Sequence, residues 1–353
     1  MTKVTQSAKW FLSFAFVALF ATATFTGCEG TNSALAPTSQ NPTYANPHAA
    51  NGADLGHAMD VQNRHHDDMM AIDGVTGTAS GLNDDGTPAI YVFTNNDKVH
   101  GVPSSLEDVK THIQNIGDVN AFVTGFPGPS PTPVQSGYSV GNDNECAAGT
   151  ISCVVTLNGT DRYLLSNNHV FARVNAAHLG ERIDQPGRYD AATITGLKQC
   201  DQTPQVATLS TFVPINFNRR STNVVDCALA KLDGVSATSL SAGGYLPSVN
   251  TVAPAVGMAV KKSGRTTGLT HGSILAINWQ GKINYGNGQT ATFVNQVYIS
   301  SSTFSAAGDS GSLIVTDDAN ANPVCLLFAG SSNSTIANPI SAVLGALHAT
   351  IVP

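Results

Sequence analysis

The chain has 353 residues, of which only 12% are charged, with a formal net charge of −7, 33 glycines and 17 prolines. A nucleic-acid partner needs a concentrated Lys/Arg footprint, and 17 basic residues scattered among 24 acidic ones do not supply it. With 42% hydrophobic residues a core can be buried, and the wealth of Gly, Pro, Ser, Thr and Asn favours many short strands joined by turns over helical bundles.

Residues 1–27 read as a targeting segment: Lys3 and Lys9 give a positive start, Trp10 to Phe25 is an apolar and small-residue run, and Phe25-Thr26-Gly27-Cys28 sets small residues before a cysteine. This resembles a bacterial lipoprotein signal, with Phe25 where leucine is more usual. The resemblance implies export, lipidation of Cys28 and a membrane anchor in the cell envelope, facing the periplasm or the cell surface. An ordinary cleaved signal is the alternative. A membrane span is disfavoured, because the run falls short of the roughly 20 apolar residues a crossing helix needs. Residues 28–54, rich in Pro, Asn, Ala and Ser, read as a disordered tether.

Residues 55–126 read as a small α/β lobe. Leu55 to Asp73 is a short helix, Asn83-Asp84-Asp85-Gly86 turns between two β-prone runs, and Ser105 to Ile116 has helix-like apolar spacing. His57, His65, His66, Asp67 and Asp68 invite a metal reading, but adjacent pairs point in different directions on a helix, so no metal and no cofactor is expected. The lobe carries no visible catalytic residues; packing, covering a cleft, folding assistance or partner binding all suit it. Residues 127–144, opening on Pro127-Gly128-Pro129, read as a stiff linker.

From 145 to 353 short apolar runs recur between Gly, Asn and Asp turns, which indicates antiparallel barrels or a sandwich, closed by a short helix from Asn338 to Leu347. Cys146, Cys153, Cys200, Cys227 and Cys325 are an odd set whose pairing the sequence leaves open. The run Ala307-Gly308-Asp309-Ser310-Gly311-Ser312 is an exposed-serine pattern. A serine hydroxyl is a weak nucleophile, so it needs a histidine to take its proton and a carboxylate to orient that histidine. His169, in LSNNHV at 165–170, ends an apolar run in a polar turn, and Asp226 heads another in VVDCALAKL at 224–232. His178, Asp201 and Asp233 lack those settings.

The order His, Asp, Ser, together with KKSGRTTGLTHGSI at 261–274, resembles the chymotrypsin-like (trypsin-superfamily) serine proteases, of the bacterial α-lytic type, over about 145–350. The departures are Val170 after the histidine, Ser312 for the second Gly of GDSGG, and no Asp six residues before Ser310. The resemblance implies a mainly β fold of two antiparallel six-stranded barrels, a His169–Asp226–Ser310 triad, and an oxyanion hole from the N–H groups of Gly308 and Ser310. It further implies a substrate pocket with Phe304 and Ser305 at its floor and Phe328, Ala329 and Gly330 as its wall, an internal Arg265–Asp309 ion pair, and a protein or peptide substrate. The rival reading is a surface lipoprotein that uses this fold as a protein-binding scaffold. Oligomeric state is not readable.

Overall fold

The computed structural model describes residues 48–121 and 128–353. The targeting segment, Cys28 and most of the tether lie outside the described residues, as do 122–126 of the expected lobe and the first residue of the linker. The described chain is mainly β, in one sheet of 12 strands and one of eight, with a two-stranded ribbon beside them.

The eight-stranded sheet runs Thr350–Val352, Val154–Thr156, Tyr163–Ser166, Ala228–Leu232, Gln205–Phe212, Arg182–Asp184, Ser139–Asn142, Gly149–Thr150. Its ends nearly meet, because Gly149–Thr150 leads within a few residues into Val154–Thr156, and Ser152 and Leu165 bond across the gap (N–H to carbonyl, 2.9 Å). The larger sheet orders Thr290–Ser300, Ser334–Pro339, Pro323–Ser331, Leu313–Thr316, Ala259–Gly264 and Gly268–Asn284, and the last pairs back onto the first. Gly268–Asn284 is 17 residues long and shifts register against Thr290–Ser300 between 274 and 276, 276 and 279, and 279 and 281. Such bulges bend a strand and increase its twist, which lets this one curl to serve several partners. The sheets are therefore barrel-like rather than two strictly closed six-stranded barrels.

The segment expected as a separate lobe extends the larger sheet instead. Val75–Leu82 pairs antiparallel with Gly268–Asn284, and Pro88–Thr94 and Val109–Asn115 follow outward. Val75–Leu82 and Pro88–Thr94 bury residues of both faces, and a sheet edge gives the strands their backbone partners. Residues expected to form a helix from Ser105 are strands, because Val109 and Leu106 turn inward under the helix Gly56–Met70. Buried Gln62 of that helix bonds Thr78, Ser80, Asn278 and the Asn278 carbonyl, tying helix and sheets together. His57 pairs with Asp108, His65 with Glu107 and His66 with Thr78.

The linker boundary shifts too. Val134–Ser136 and Ser139–Asn142 are strands, with Val134 and Val140 in the core. The end of the expected tether is likewise structured: Ala49 and Leu55 pack with Val256 and Val260, and Ala50 N–H bonds the Val256 carbonyl at 2.6 Å. Cys146 and Cys200 form a disulfide, and Cys153, Cys227 and Cys325 are buried free thiols. One core cluster joins Leu165 and Leu229 of the smaller sheet to Leu313, Val315 and Leu326 of the larger and to Val343 of the closing helix Ile340–Leu347. The site residues lie where those two sheets meet.

Candidate active site

His169 sits in a one-turn helix, Asn168–Phe171, directly after the strand Tyr163–Ser166. So short a helix cannot hold itself, and side-chain amides brace it. Asn167 donates to the Asp226 carbonyl (2.7 Å), and Asn168 donates to Asn175 and to the Val213 carbonyl (2.8 Å each). Asp226, two residues before the strand Ala228–Leu232, is fully buried; its Oδ1 accepts the His169 backbone N–H at 3.2 Å and its Oδ2 faces His169 Nδ1 at 2.7 Å. A carboxylate partner makes Nδ1 the protonated nitrogen and leaves the lone pair on Nε2; among the described residues Nε2 has no hydrogen-bond partner. Asn338, from the other sheet, accepts the Asp226 N–H at 3.0 Å and donates to Gln296 at 2.6 Å.

Ser310 lies in a tight turn closed by Asp309 N–H on the Ala306 carbonyl (3.0 Å) and Ser312 N–H on the Asp309 carbonyl (2.9 Å). Gly311 has φ +96°, and a Cβ there would collide with the Thr150 carbonyl and Ser166 Oγ, so only glycine lets the turn press onto the smaller sheet. Thr150 of that sheet holds the turn from outside: its N–H bonds the Ser310 carbonyl (2.7 Å) and its hydroxyl the Gly308 carbonyl (2.9 Å). The Ser310 carbonyl and Val170, the residue after His169, flank Gly149 on one side, where an added Cβ would stand 3.0 Å from the first and 2.5 Å from the second. The Ser310 carbonyl and the side chain of Val170, in the His169 helix, thus both lie against Gly149, while His169 Nε2 itself makes no hydrogen bond to Ser310 Oγ. Ser310 Oγ is 3.4 Å from the Phe328 carbonyl.

The Arg265–Asp309 pair expected from the sequence is not made. Arg265 forks onto Asp190 instead, Nε to Oδ2 at 2.8 Å and Nη2 to Oδ1 at 2.6 Å, both residues buried. Asp190 stands in the short turn Arg188–Thr193 across the sheet boundary, where its edge-on carboxylate meets the planar fork. Burial raises the Asp190 pKa despite Arg265, and burial lowers that of Arg265 despite Asp190. Asp309 takes Lys262 at 3.3 Å, with neither side chain exposed. It also accepts Thr266 N–H (2.9 Å), Thr267 N–H (3.2 Å), Thr267 Oγ1 (2.6 Å) and Ala306 N–H (3.0 Å). Gly264 makes room for that carboxylate, which a Cβ would strike.

The expected pocket residues are filled in. Phe304 is fully buried in the core under the strand Gly268–Asn284, Ser305 bonds Thr335 at 2.6 Å, and Phe328 packs on Phe293 with ring centres 4.8 Å apart. On one edge of Pro323–Ser331, Leu327 exchanges bonds with Gly311 and Ser312; further along it, Ala329 and Gly330 pair antiparallel with Ala121 and Asn120 of the same chain. Ser310 has no exposed surface.

Sequence reasoning missed Thr150, Asp190, Lys262, Tyr285 and Asn338. Lys262 could have been found, since it stands in the same basic motif as Arg265 and alternates onto the same strand face as the glycine at 264. The others come from distant segments and carry no local signal.

The family model of the Nal1 C-terminal domain matches residues 237–338, a stretch with Arg265, Tyr285, Ser310 and Asn338 but neither His169 nor Asp226. No curated protein matches the chain. Solved structures similar to it are serine proteases at low identity. A glutamic-acid-specific serine protease is 22% identical, with 62% of this chain and 100% of that one covered and a TM-score of 0.43. Protease A of Thermobifida fusca is 15% identical over 62% and 97%, with a TM-score of 0.43. The MamO protease domain of Magnetospirillum magneticum is 11% identical over 64% and 94%, with a TM-score of 0.33.

Proposed function

We propose that the protein is an exported serine endopeptidase of the chymotrypsin-like, α-lytic-type kind, anchored to the cell envelope through a lipid on Cys28. The single observation that carries the reading is the buried His169–Asp226 contact of 2.7 Å, beside a helix residue, Val170, that lies against Gly149 together with the Ser310 carbonyl. As Ser310 Oγ attacks a peptide carbonyl, His169 Nε2 takes its proton, and Asp226 holds the tautomer and stabilises the imidazolium. The oxyanion is met by the N–H groups of Gly308 and Ser310, each worth about 2.7 to 4 kcal/mol of barrier in such sites. Collapse breaks the C–N bond, His169 returns the proton to the leaving amine, and water then hydrolyses the acyl-enzyme by the same steps.

The test is labelling with a fluorophosphonate probe. Labelling lost in Ser310→Ala supports the enzyme; folded wild type that takes no label supports the binding scaffold.

A latent form is the second reading, favoured by the Asn120–Ala121 strand on the edge beside Ser310 and by the serine's complete burial. Ala121→Pro then speeds labelling of the full chain, and an unchanged rate removes latency of this origin.

A further inference from the structure

Asp226 Oδ2 has a second donor besides His169: the Tyr285 hydroxyl, at 2.9 Å. Tyr285 is the first residue past the strand Gly268–Asn284, in the turn toward Thr290–Ser300, so it belongs to the sheet that carries the Ser310 turn, while His169 and Asp226 belong to the other. Its ring stands edge-on to that of His169 (centres 6.0 Å, planes 69°) and of Phe217 (5.7 Å, 85°), and lies near that of Phe293 (6.2 Å, 30°). The ring contacts would be satisfied equally by phenylalanine. The hydroxyl is there for the carboxylate.

We propose that Tyr285 is a positioning residue for the His169–Asp226 pair, its hydroxyl fixing the carboxylate from across the boundary between the sheets. This rests on the triad reading given above. With Oδ1 on the His169 backbone N–H and Oδ2 shared between His169 Nδ1–H and Tyr285, the carboxylate plane has one orientation in which all three donors are met. Without the hydroxyl only the two His169 donors hold the carboxylate, one on each oxygen, and the imidazole is aimed less firmly. The hydroxyl also draws negative charge from Oδ2 that would otherwise stabilise the imidazolium.

Three titratable groups face the pair, Tyr285 among them. Burial pushes the Tyr285 phenol well above its ordinary range, with Asp226 adding to the shift, so it stays a donor. Burial, and again Asp226, keep the Cys227 thiol neutral. Glu145 faces His169 from the loop after Ser139–Asn142, its carboxyl raised by burial and lowered in part by His169 and Arg173. Neither Cys227 nor Glu145 replaces the Tyr285 donor.

The variant is Tyr285→Phe in the full chain. The rate of fluorophosphonate labelling, followed against pH, is expected to fall about threefold on the acid limb, with the limb's midpoint displaced upward by about half a pH unit, because the unshared carboxylate holds a proton on His169 to higher pH. Peptide hydrolysis is expected to lose kcat with KM unchanged. A superimposable pH profile, or a loss confined to KM, overturns the proposal. A second measurement does not depend on catalysis: the His169 imidazole is titrated by nitrogen NMR in Ser310→Ala with and without Tyr285→Phe. An upward shift supports the coupling even if wild type takes no label, which would sink the triad reading alone. Identical titrations overturn the coupling.

Discussion

The two halves of the candidate site are held by different chemistry. The Ser310 turn rests on buried charge: Lys262 on Asp309, with Arg265 on Asp190 beside it. The His169–Asp226 half rests on neutral donors and acceptors, namely Asn167, Asn168, Asn338 and Tyr285. On the proposed mechanism, a carboxylate that has to stabilise an imidazolium cannot also be neutralised by a resident cation, whereas the carboxylate next to the serine has only a turn to shape. Charge is placed where it can be spent on geometry, and kept away from the group whose charge the chemistry uses.

The sharpest tests act on the reacting groups. Ser310→Ala is expected to lower turnover by about 10⁶-fold and Asp226→Asn by about 10⁴-fold, with the fold intact by circular dichroism. Near-normal turnover in either variant takes that residue out of the mechanism. The comparison itself is broken or sharpened by stability. Lys262→Met leaves Asp309 buried without its cation and is expected to cost about 3 to 5 kcal/mol in urea unfolding, the range for stripping one partner from a buried ion pair. Asn338→Ala, which orphans the Asp226 N–H, is expected to cost about 1 to 3 kcal/mol. Equal costs would show that the two halves are not braced differently.

Much of this was legible in the chain. His169, Asp226 and Ser310 each end or begin an apolar run at a turn, and local pattern is enough to find such positions. The motif around Arg265 was legible as a buried cation site, but its carboxylate was not: Asp309 is the acid that the neighbouring motif offers, while Asp190 lies 75 positions away and is brought in only by the approach of the sheets. The reading of a small α/β lobe at 55–126 rested on β-prone runs and a turn, and such local signals say nothing about which sheet edge the backbone will pair with; Val75–Leu82 takes the edge of Gly268–Asn284. Tyr285 lay in a Gly/Asn-rich turn whose signal is the turn alone.

The smallest expected effect concerns a charged brace at the rim of the His169 side. Arg173, just past the His169 helix, forks onto Glu181 at 2.7 and 3.1 Å; Glu181 also accepts the His178 N–H and the Asn142 amide, and Asn142 in turn donates to the Phe171 carbonyl at that helix's end. Burial pushes the Glu181 carboxyl up, but Arg173 and the two N–H donors more than reverse this and hold it at about 2. A folded-state pKa below the ordinary value of about 4.3 means that the ionised form favours folding. That contribution is fully present above about 4.3 and drains away as pH falls through about 2. Glu181→Gln should therefore unfold in less urea than wild type at pH 6, with the gap narrowing steadily below pH 4 as the wild-type carboxylate takes up its proton. A gap that stays constant down to pH 2.5 would show that Arg173 is held by shape and hydrogen bonds with no net use of charge, and that the His169 side is uncharged in its bracing out to its rim.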